Sequence, residues 1–251
     1  MLYHLLYPLR AEYPVLNVMR YITFRTLMAA LTALVLSLVL GPWLIRWLKN
    51  LQVRQSIRTD GPAGHAVKAG TPTMGGVLIL FSLVSATVLL ADLREWTVWL
   101  AIGVTLANGC IGFFDDFAKV KRRNSAGLPG RARLLAELVI GAGAAVVVLL
   151  WSEQHGQLTM PFFKGMHPDL GWWYVPLGAF IVAGAANAVN LTDGLDGLAI
   201  GPVMIAGGTY AIFAYTAGNV KIAEYLQIPY VAGAGELTIF CGALAAAGLG
   251  F

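Results

Sequence analysis

Long apolar runs constrain the fold of this chain more than any other feature. A helix of about 17–21 residues spans about 25–31 Å, close to the hydrocarbon thickness of a bilayer. With 58% hydrophobic and 12% charged residues, a soluble fold of this length would leave too much apolar surface exposed. We therefore predict an all-α, polytopic transmembrane bundle that forms a single domain over residues 1–251. The complete runs are roughly Leu27–Trp47, Met74–Leu90, Trp96–Phe114, Leu134–Trp151, Trp172–Val189 and Leu198–Tyr215.

A further run begins near Glu236 and brings the predicted total to about seven spans. Its apolar part, Leu237–Phe251, covers only about 22 Å at the α-helical rise. It stops in Gly-Leu-Gly-Phe without a polar flank. We therefore expect the chain to be truncated inside this last helix.

Basic residues indicate which loops face the cytoplasm, because Lys and Arg are retained on that side. They are concentrated in the loop after the first run, with Arg54, Arg58 and Lys68, and in the loop after the third, between residues 119 and 133. Alternation places the first, third and fifth loops on one side, so we expect these to be cytoplasmic and the N-terminus to lie outside. This placement accounts for the net charge of +4 without a nucleic-acid partner.

Two adjacent carboxylates, Asp115 and Asp116, follow the third run directly, and Lys119 comes one turn later. A charge at the bilayer centre costs about 2.5–3.5 kcal/mol, so this pair belongs at an interface or in a wet cavity. Neighbouring like charges raise each other's proton affinity, a cost that a divalent cation or a cationic partner removes. The alternative is an ordinary acidic helix end in water. Because carboxylates at a helix C-terminus oppose the macrodipole, we favour a functional pair.

The loop between the fifth and sixth runs contains Asn190, Asp193 and Asp196 together with two glycines. Such residues offer amide and carboxylate groups to a nucleoside, a sugar hydroxyl or a metal, and the glycines permit close approach of a ligand. A tight turn is the alternative, because the same residue types dominate turns. We favour function, since a cytoplasmic loop usually carries Lys or Arg instead.

The segment from Lys68 to Gly76 leads from the basic first loop into the second run. The N-terminus of that helix would direct its free N–H groups and positive dipole end towards an arriving anion. Thr73 could cap the helix, and Lys68 could meet a phosphate. Taken alone, a capped helix with glycines for close packing is the simpler interpretation.

These three segments are expected on one face of the membrane. Together they predict a carboxylate-rich centre beside anion-binding groups at the level of the lipid headgroups. That arrangement suits a phosphorylated soluble substrate that meets a phosphorylated lipid. Among the remaining residues, we expect Glu137 to pair with Arg133 and Arg25 to reach the outer headgroups.

The motifs resemble those of the polyprenyl-phosphate N-acetylhexosamine-1-phosphate transferase superfamily, and the likeness covers essentially the whole chain. It is strongest to the branch that transfers phospho-MurNAc-pentapeptide in peptidoglycan synthesis. The segments that carry the resemblance are Gly70–Gly76, Asp115–Asp116, Pro161–Lys164, Asn187–Ala199 and Ile228–Tyr230.

The resemblance implies Mg²⁺-dependent transfer from UDP-MurNAc-pentapeptide to undecaprenyl phosphate, giving lipid I and UMP. The protein would lie in the bacterial inner membrane among its lipids, with a cytoplasmic active face, and members are commonly homodimers. Asp115 and Asp116 would activate the lipid phosphate or handle Mg²⁺, with Asp193 as a further metal ligand. The substrate-binding residues carried over by motif are Lys68, Thr73, Asn190, Asp193 and Asp196.

The family continues beyond Phe251 with further spans, another metal-binding Asp and a His-rich motif, so we expect residues 1–251 alone to be inactive. Three alternatives stay open. A sister transferase would use UDP-GlcNAc, although the motifs at residues 161–164 and 228–230 argue against it. A transporter would also carry intramembrane acids, but here we expect them at helix ends on one face. A non-catalytic scaffold would tolerate loss of the Asp115 carboxylate.

Overall fold

The structure, a computed structural model, describes residues 1–50, 75–122, 127–160, 163, 165–192 and 198–250. Within those ranges it is helical and contains no strand, only an isolated bridge between Gln157 and Asp169. Short 3₁₀ segments lie at Pro8–Ala11, Pro14–Arg20 and Gly171–Trp173. The α-helices are α1 Leu2–Leu6, α2 Ile22–Asn50, α3 Gly76–Leu90, α4 Trp96–Arg122, α5 Gly130–Trp151, α6 Tyr174–Thr192, α7 Ile200–Ala217, α8 Val220–Leu226 and α9 Ala234–Leu249.

Five helices in the described part are long and apolar enough to cross a membrane, which confirms the all-α membrane class. Two other predicted runs form shorter apolar helices, α3 with 15 residues and α9 with 16. At the α-helical rise they cover about 22–24 Å. A total of seven spans therefore stays a prediction. The five candidate spans are Ile22–Trp47, Trp96–Lys121, Gly130–Trp151, Gly171–Thr192 and Ile200–Ala217.

Helix α9 lies at the centre of the bundle and packs against α2, α3, α4 and α7. Its buried residues Ala243 and Ala247 meet Ala29 and Ala33 in one apolar cluster. Small side chains let membrane helices approach closely, so that van der Waals packing holds them together without a hydrophobic driving force. At Gly242, a Cβ atom would lie 2.6 Å from the Thr26 Cγ2 atom, so glycine is required for this approach.

Helices α5 and α6 form a second closely packed pair, which contacts the rest of the bundle through α4. A Cβ atom at Gly141 would lie 2.9 Å from the Ala179 Cα atom, and one at Gly178 would lie 2.6 Å from the Ala145 Cβ atom. Glycine on each helix therefore sets the spacing of the pair. This pair positions part of the candidate site.

The expectation that Arg25 reaches the outer headgroups is wrong. Arg25 is 2% exposed, and its guanidinium makes a bidentate pair with Glu236 at 2.7 and 2.6 Å. It also donates to the Leu90 carbonyl at 3.2 Å. The Asp92 N–H donates to the same Glu236 carboxylate at 2.7 Å. Because the partner lies on a distant helix, local sequence could not reveal the pair, which joins the ends of α2, α3 and α9.

Breaking the Arg25–Glu236 pair should destabilise the fold, because a buried charge that loses its partner costs about 3–5 kcal/mol. We expect Glu236→Gln to lower the melting temperature in detergent by about 5 °C or more. The matched control is Glu224→Gln, since Glu224 is exposed on α8. Thermal unfolding of the two variants checks the prediction, and equal melting temperatures would contradict it.

Glu95, just before α4, provides a pH-dependent test at the same end. Burial, together with the nearby Asp92 and Glu236 carboxylates, raises the pKa of Glu95 above its ordinary value. A carboxyl whose pKa is raised by folding favours the folded state below its unfolded pKa and loses that contribution as the pH rises through the folded value. We therefore expect Glu95→Gln to raise the melting temperature at pH 7 and to leave it unchanged at about pH 3. A gain of equal size at both pH values would exclude this cause.

Candidate active site

The carboxylate pair lies inside a helix and not at its end. Helix α4 continues past Asp115 and Asp116 to Arg122. Hydropathy marks only where the apolar run stops, whereas a helix can continue with charged residues once it reaches a polar environment. Asp115 lies about 28 Å along the axis from Trp96, a distance that places it near one face of a bilayer.

Asp115 is buried and both of its carboxylate oxygens are engaged. It is 9% exposed. Its Oδ2 atom lies 2.5 Å from the Lys119 Nζ atom, and its Oδ1 atom accepts the Leu128 N–H at 2.7 Å. The i, i+4 spacing places the lysine on the same helical face. Asp115 therefore fixes both Lys119 and the segment that leads into α5.

Gly127 makes this arrangement possible. A Cβ atom at this position would collide with the Asp115 carboxylate. The chain therefore passes close to α4 just before Pro129 and the first residue of α5. Residues 127 and 128 lie against Asp115 only because residue 127 has no side chain.

Asp116 is the more accessible member of the pair. Its side chain is 39% exposed, and its Oδ1 atom lies 3.5 Å from the Lys119 Nζ atom. Lys119, 40% exposed, therefore bridges the two carboxylates and partly neutralises both. The arrangement presents one held carboxylate, one accessible carboxylate and a cation at the level expected for lipid phosphates.

The donor set fits a magnesium ion that is shared with a phosphorylated ligand. The part of the chain that the structure describes has no group of three or more His, Cys, Asp or Glu side chains that could hold a metal. Mg²⁺ does not need such a cage, because it usually takes one or two carboxylates and completes its octahedron with water and phosphate oxygens. The accessible Asp116 carboxylate supplies hard oxygens of that kind, beside Asp115, whose oxygens contact Lys119 and the Leu128 N–H.

Asn190 lies in the last turn of α6, where it is exposed. It therefore belongs to a helix and not to the predicted loop. One turn earlier, the Asn187 Nδ2 group donates to the Ala183 carbonyl at 2.8 Å and to the Glu137 Oε2 atom. The Glu137 Oε1 atom accepts from the Arg133 Nε–H at 2.9 Å. The expected Arg133–Glu137 pair is thus confirmed.

The structure brings together Asp115, Asp116 and Lys119, and it places Asn190 on a different helix. Helix α5 lies between the two groups, because it packs against both α4 and α6. The charge of Arg133 on α5 also acts favourably on the Asp115 carboxylate. The other predicted residues lie outside the described part of the chain; they are Lys68, Thr73, Asp193 and Asp196.

Sequence reasoning missed two groups at this end of the bundle. The Leu128 N–H is a backbone donor, and no side-chain pattern marks it. Asn187 had a usable signal, because it precedes Asn190 by three residues and so shares its helical face. A polar residue on the face that buries Ala183 indicates a partner on the neighbouring helix.

Comparison with protein-family models identifies the class of transferases to which the chain belongs. The sequence model of glycosyl transferase family 4 matches residues 96–251. With candidate spans and a carboxylate pair near one membrane face, the chain is a membrane-embedded member of that class of transferases. The phospho-N-acetylmuramoyl-pentapeptide-transferase signature 1 matches residues 68–80.

Curated relatives narrow the assignment. The chain is 57% identical to the phospho-N-acetylmuramoyl-pentapeptide-transferase of Syntrophus aciditrophicus over all of this chain and 70% of the relative. It is 51% identical to that of Geobacter sp. strain M21 and 50% identical to that of Nitratidesulfovibrio vulgaris strain DP4, each over all of this chain and 70% of the relative. The chain belongs to the phospho-N-acetylmuramoyl-pentapeptide-transferase family, which confirms the resemblance read from its motifs.

The close passage at Gly127 gives a test of the site geometry. We expect Gly127→Ala to displace the Asp115 carboxylate and to reduce transferase activity by about 10- to 100-fold, because small misplacements of reacting groups cost that much. Gly130→Ala is the matched control, since a Cβ atom there has no neighbour within 4 Å. Activity and melting temperature are measured for both variants. Full activity in Gly127→Ala would show that the held geometry of Asp115 is not needed.

Proposed function

We propose that this chain transfers phospho-MurNAc-pentapeptide from UDP-MurNAc-pentapeptide to undecaprenyl phosphate, giving lipid I and UMP. The observation that carries the proposal is the cluster of Asp115, Asp116 and Lys119 near one membrane face, in a chain of this family. A water-soluble phosphate donor and a lipid phosphate can meet only at that level of the bilayer. The relatives' names state that they transfer the same group, phospho-N-acetylmuramoyl-pentapeptide.

The chemistry requires positioning and charge neutralisation more than covalent catalysis. An oxygen of the lipid phosphate attacks the sugar-bearing phosphorus of the donor, and the bond from that phosphorus to UMP breaks. The Lys119 ammonium would attract phosphate charge to the pair of carboxylates. Asp115, fixed by Lys119 and the Leu128 N–H, would hold that ammonium in place.

We further propose that Asp116, the more accessible carboxylate, contributes most to a Mg²⁺ site, with Asp115 beside it and Asp193 as a further ligand. When bound, the ion would supply positive charge that stabilises the negative charge developing on the donor phosphates. Asn190, exposed at the end of α6, would contact the nucleoside or pyrophosphate of the donor. Lys68, Thr73 and Asp196 would support the same ligand.

The proposal includes an orientation of the chain in the membrane. The loops rich in Lys and Arg would face the cytoplasm of a bacterial inner membrane, so the carboxylate pair would face the cytoplasm too. The N-terminus would then lie outside, and the chain would cross about seven times if α3 and α9 also span. Family resemblance further suggests that two copies associate within the membrane.

The direct test is UMP release in detergent micelles from UDP-MurNAc-pentapeptide and undecaprenyl phosphate, measured on the intact parent protein because residues 1–251 alone are expected to be inactive. We expect release with Mg²⁺ and none when the metal is chelated. Asp116→Asn should lower the rate by about 100-fold or more, the usual effect of removing a group that stabilises transition-state charge. The matched control is Glu153→Gln, because Glu153 is exposed near the opposite ends of the helices.

Three results would count against the proposal. No UMP release from the folded protein in the presence of Mg²⁺ would overturn the transfer itself. Equal rates in Asp116→Asn and Glu153→Gln would remove the carboxylate pair from the mechanism. Release with UDP-GlcNAc but not with UDP-MurNAc-pentapeptide would move the assignment to the sister transferase.

A further inference from the structure

Glu137 is a buried carboxylate for which the proposed function has no role. It is 2% exposed and lies in the second turn of α5. We propose that Glu137 is a positioning residue for the transfer reaction, which holds the last turns of α6, and with them Asn190, in register with the helix that borders the carboxylate pair. This inference rests on the proposed function.

Both Glu137 oxygens have defined partners on different elements. The Oε1 atom accepts from the Arg133 Nε–H at 2.9 Å, one turn earlier on the same helix. The Oε2 atom accepts from the Nδ2 group of Asn187 on α6. Arg133 is 20% exposed and Glu137 is 2% exposed, so the pair is largely shielded from water. Such a contact is strong when complete and costly when one partner is lost.

The contact occurs where the rest of the α5–α6 interface offers little to fix register. On α5 the buried positions recur every four residues as Glu137, Gly141 and Ala145. On α6 the facing positions Ala179 and Ala183 are buried, and Asn187 follows at the same spacing. Glycine and alanine surfaces permit close approach but have few protrusions to resist sliding or rotation. The Glu137–Asn187 hydrogen bond lies at the end of this glycine and alanine interface and fixes the register of α6 against α5.

The Glu137–Asn187 hydrogen bond lies next to the turn of α6 that carries Asn190, where a shift of α6 would move a proposed donor-binding residue. Asn187 lies one turn before Asn190, and α6 ends two residues later at Thr192. Arg133, which holds the other oxygen of Glu137, also acts on the Asp115 carboxylate. Helix α5 therefore links the two parts of the site: the Leu128 N–H, just before the helix, contacts Asp115, and Glu137 in its second turn contacts Asn187. A shift of about 1 Å in such an arrangement can cost about 100-fold in rate.

If Glu137 had a purely structural role, its loss would lower stability without a selective effect on one substrate. The Arg25–Glu236 pair provides a comparison of this kind. Arg25 and Glu236 form a similar buried pair near the opposite ends of the helices, at 2.7 and 2.6 Å. Loss of that pair should lower stability without a selective effect on either substrate. If Glu137 positions the donor site, its loss should raise the KM for the nucleotide donor more than the KM for the lipid acceptor.

The experiment measures kcat, the KM for UDP-MurNAc-pentapeptide, the KM for undecaprenyl phosphate and the melting temperature in the detergent-purified protein. We expect Glu137→Leu to raise the donor KM about tenfold, the size of effect of one lost hydrogen bond to a charged group. The acceptor KM should change by less than about twofold on the same scale. Glu137→Gln, which keeps one acceptor oxygen, should restore part of the donor affinity and remains informative if Glu137→Leu does not fold.

Three further variants, Asn187→Leu, the double variant and Glu236→Gln, separate positioning from general stability. Because Glu137 and Asn187 act through one contact, the double variant Glu137→Leu/Asn187→Leu should raise the donor KM no more than the more severe single variant. Glu236→Gln should lower the melting temperature and leave the donor KM unchanged. Multiplicative effects of Glu137→Leu and Asn187→Leu would contradict a shared contact.

The outcomes distinguish this inference from the proposed function. Absence of UMP release by the wild-type protein would overturn the proposed function, and this inference with it. UMP release by the wild type, combined with equal changes of both KM values or with no change in Glu137→Leu and Glu137→Gln, would overturn this inference alone. A donor-selective rise in KM that Glu137→Gln partly reverses would support it.

Discussion

The pairing of buried charge is the constraint on which the rest of the structure depends. A charged side chain among membrane helices is tolerated only when a partner or a wet cavity offsets its desolvation. The described ion pairs follow this rule at both ends of the bundle: Arg25 with Glu236 at one end, Lys119 with Asp115 and Arg133 with Glu137 at the other. The described buried cluster between them consists of Ala, Leu, Val and Ile side chains. An ion pathway would need charged groups near the middle of the helices, whereas the described ion pairs lie towards their ends, so the distribution favours chemistry at one face over transport.

Sequence patterns predicted those parts of the fold whose cause is local. Apolar runs located the helices, and i, i+4 spacing predicted the Arg133–Glu137 pair. The same reasoning was wrong for Arg25, because its partner Glu236 is 211 positions away and only the packing of α9 against α2 brings them together. The expectation that the acids lie at helix ends on one face is also wrong, because Glu236 lies at the end of the bundle opposite to Asp115 and Asp116. Asn187 and the Leu128 N–H were missed because their partners also belong to other elements.

The bounds of α4 illustrate a second limit of hydropathy. The apolar run ends at Phe114, yet the helix continues to Arg122. Backbone hydrogen bonding does not depend on side-chain polarity, and a lysine one turn after an aspartate stabilises a helix in a polar environment. The consequence for the site is favourable, since carboxylates on a helix are held more rigidly than carboxylates on a loop. Asp115 and Asp116 thereby have a fixed relation to the membrane-spanning part of α4.

Helix α5 is the element that the two halves of the candidate site share. Its approach segment closes over Asp115 through Gly127 and the Leu128 N–H, and its second turn holds Asn187 through Glu137. Neither half is complete without it, because α4 supplies the carboxylates and α6 supplies Asn190. The relative position of these groups therefore depends on where α5 begins. Gly127 and Pro129 set that start, so a segment with no functional side chain of its own determines the geometry of the site.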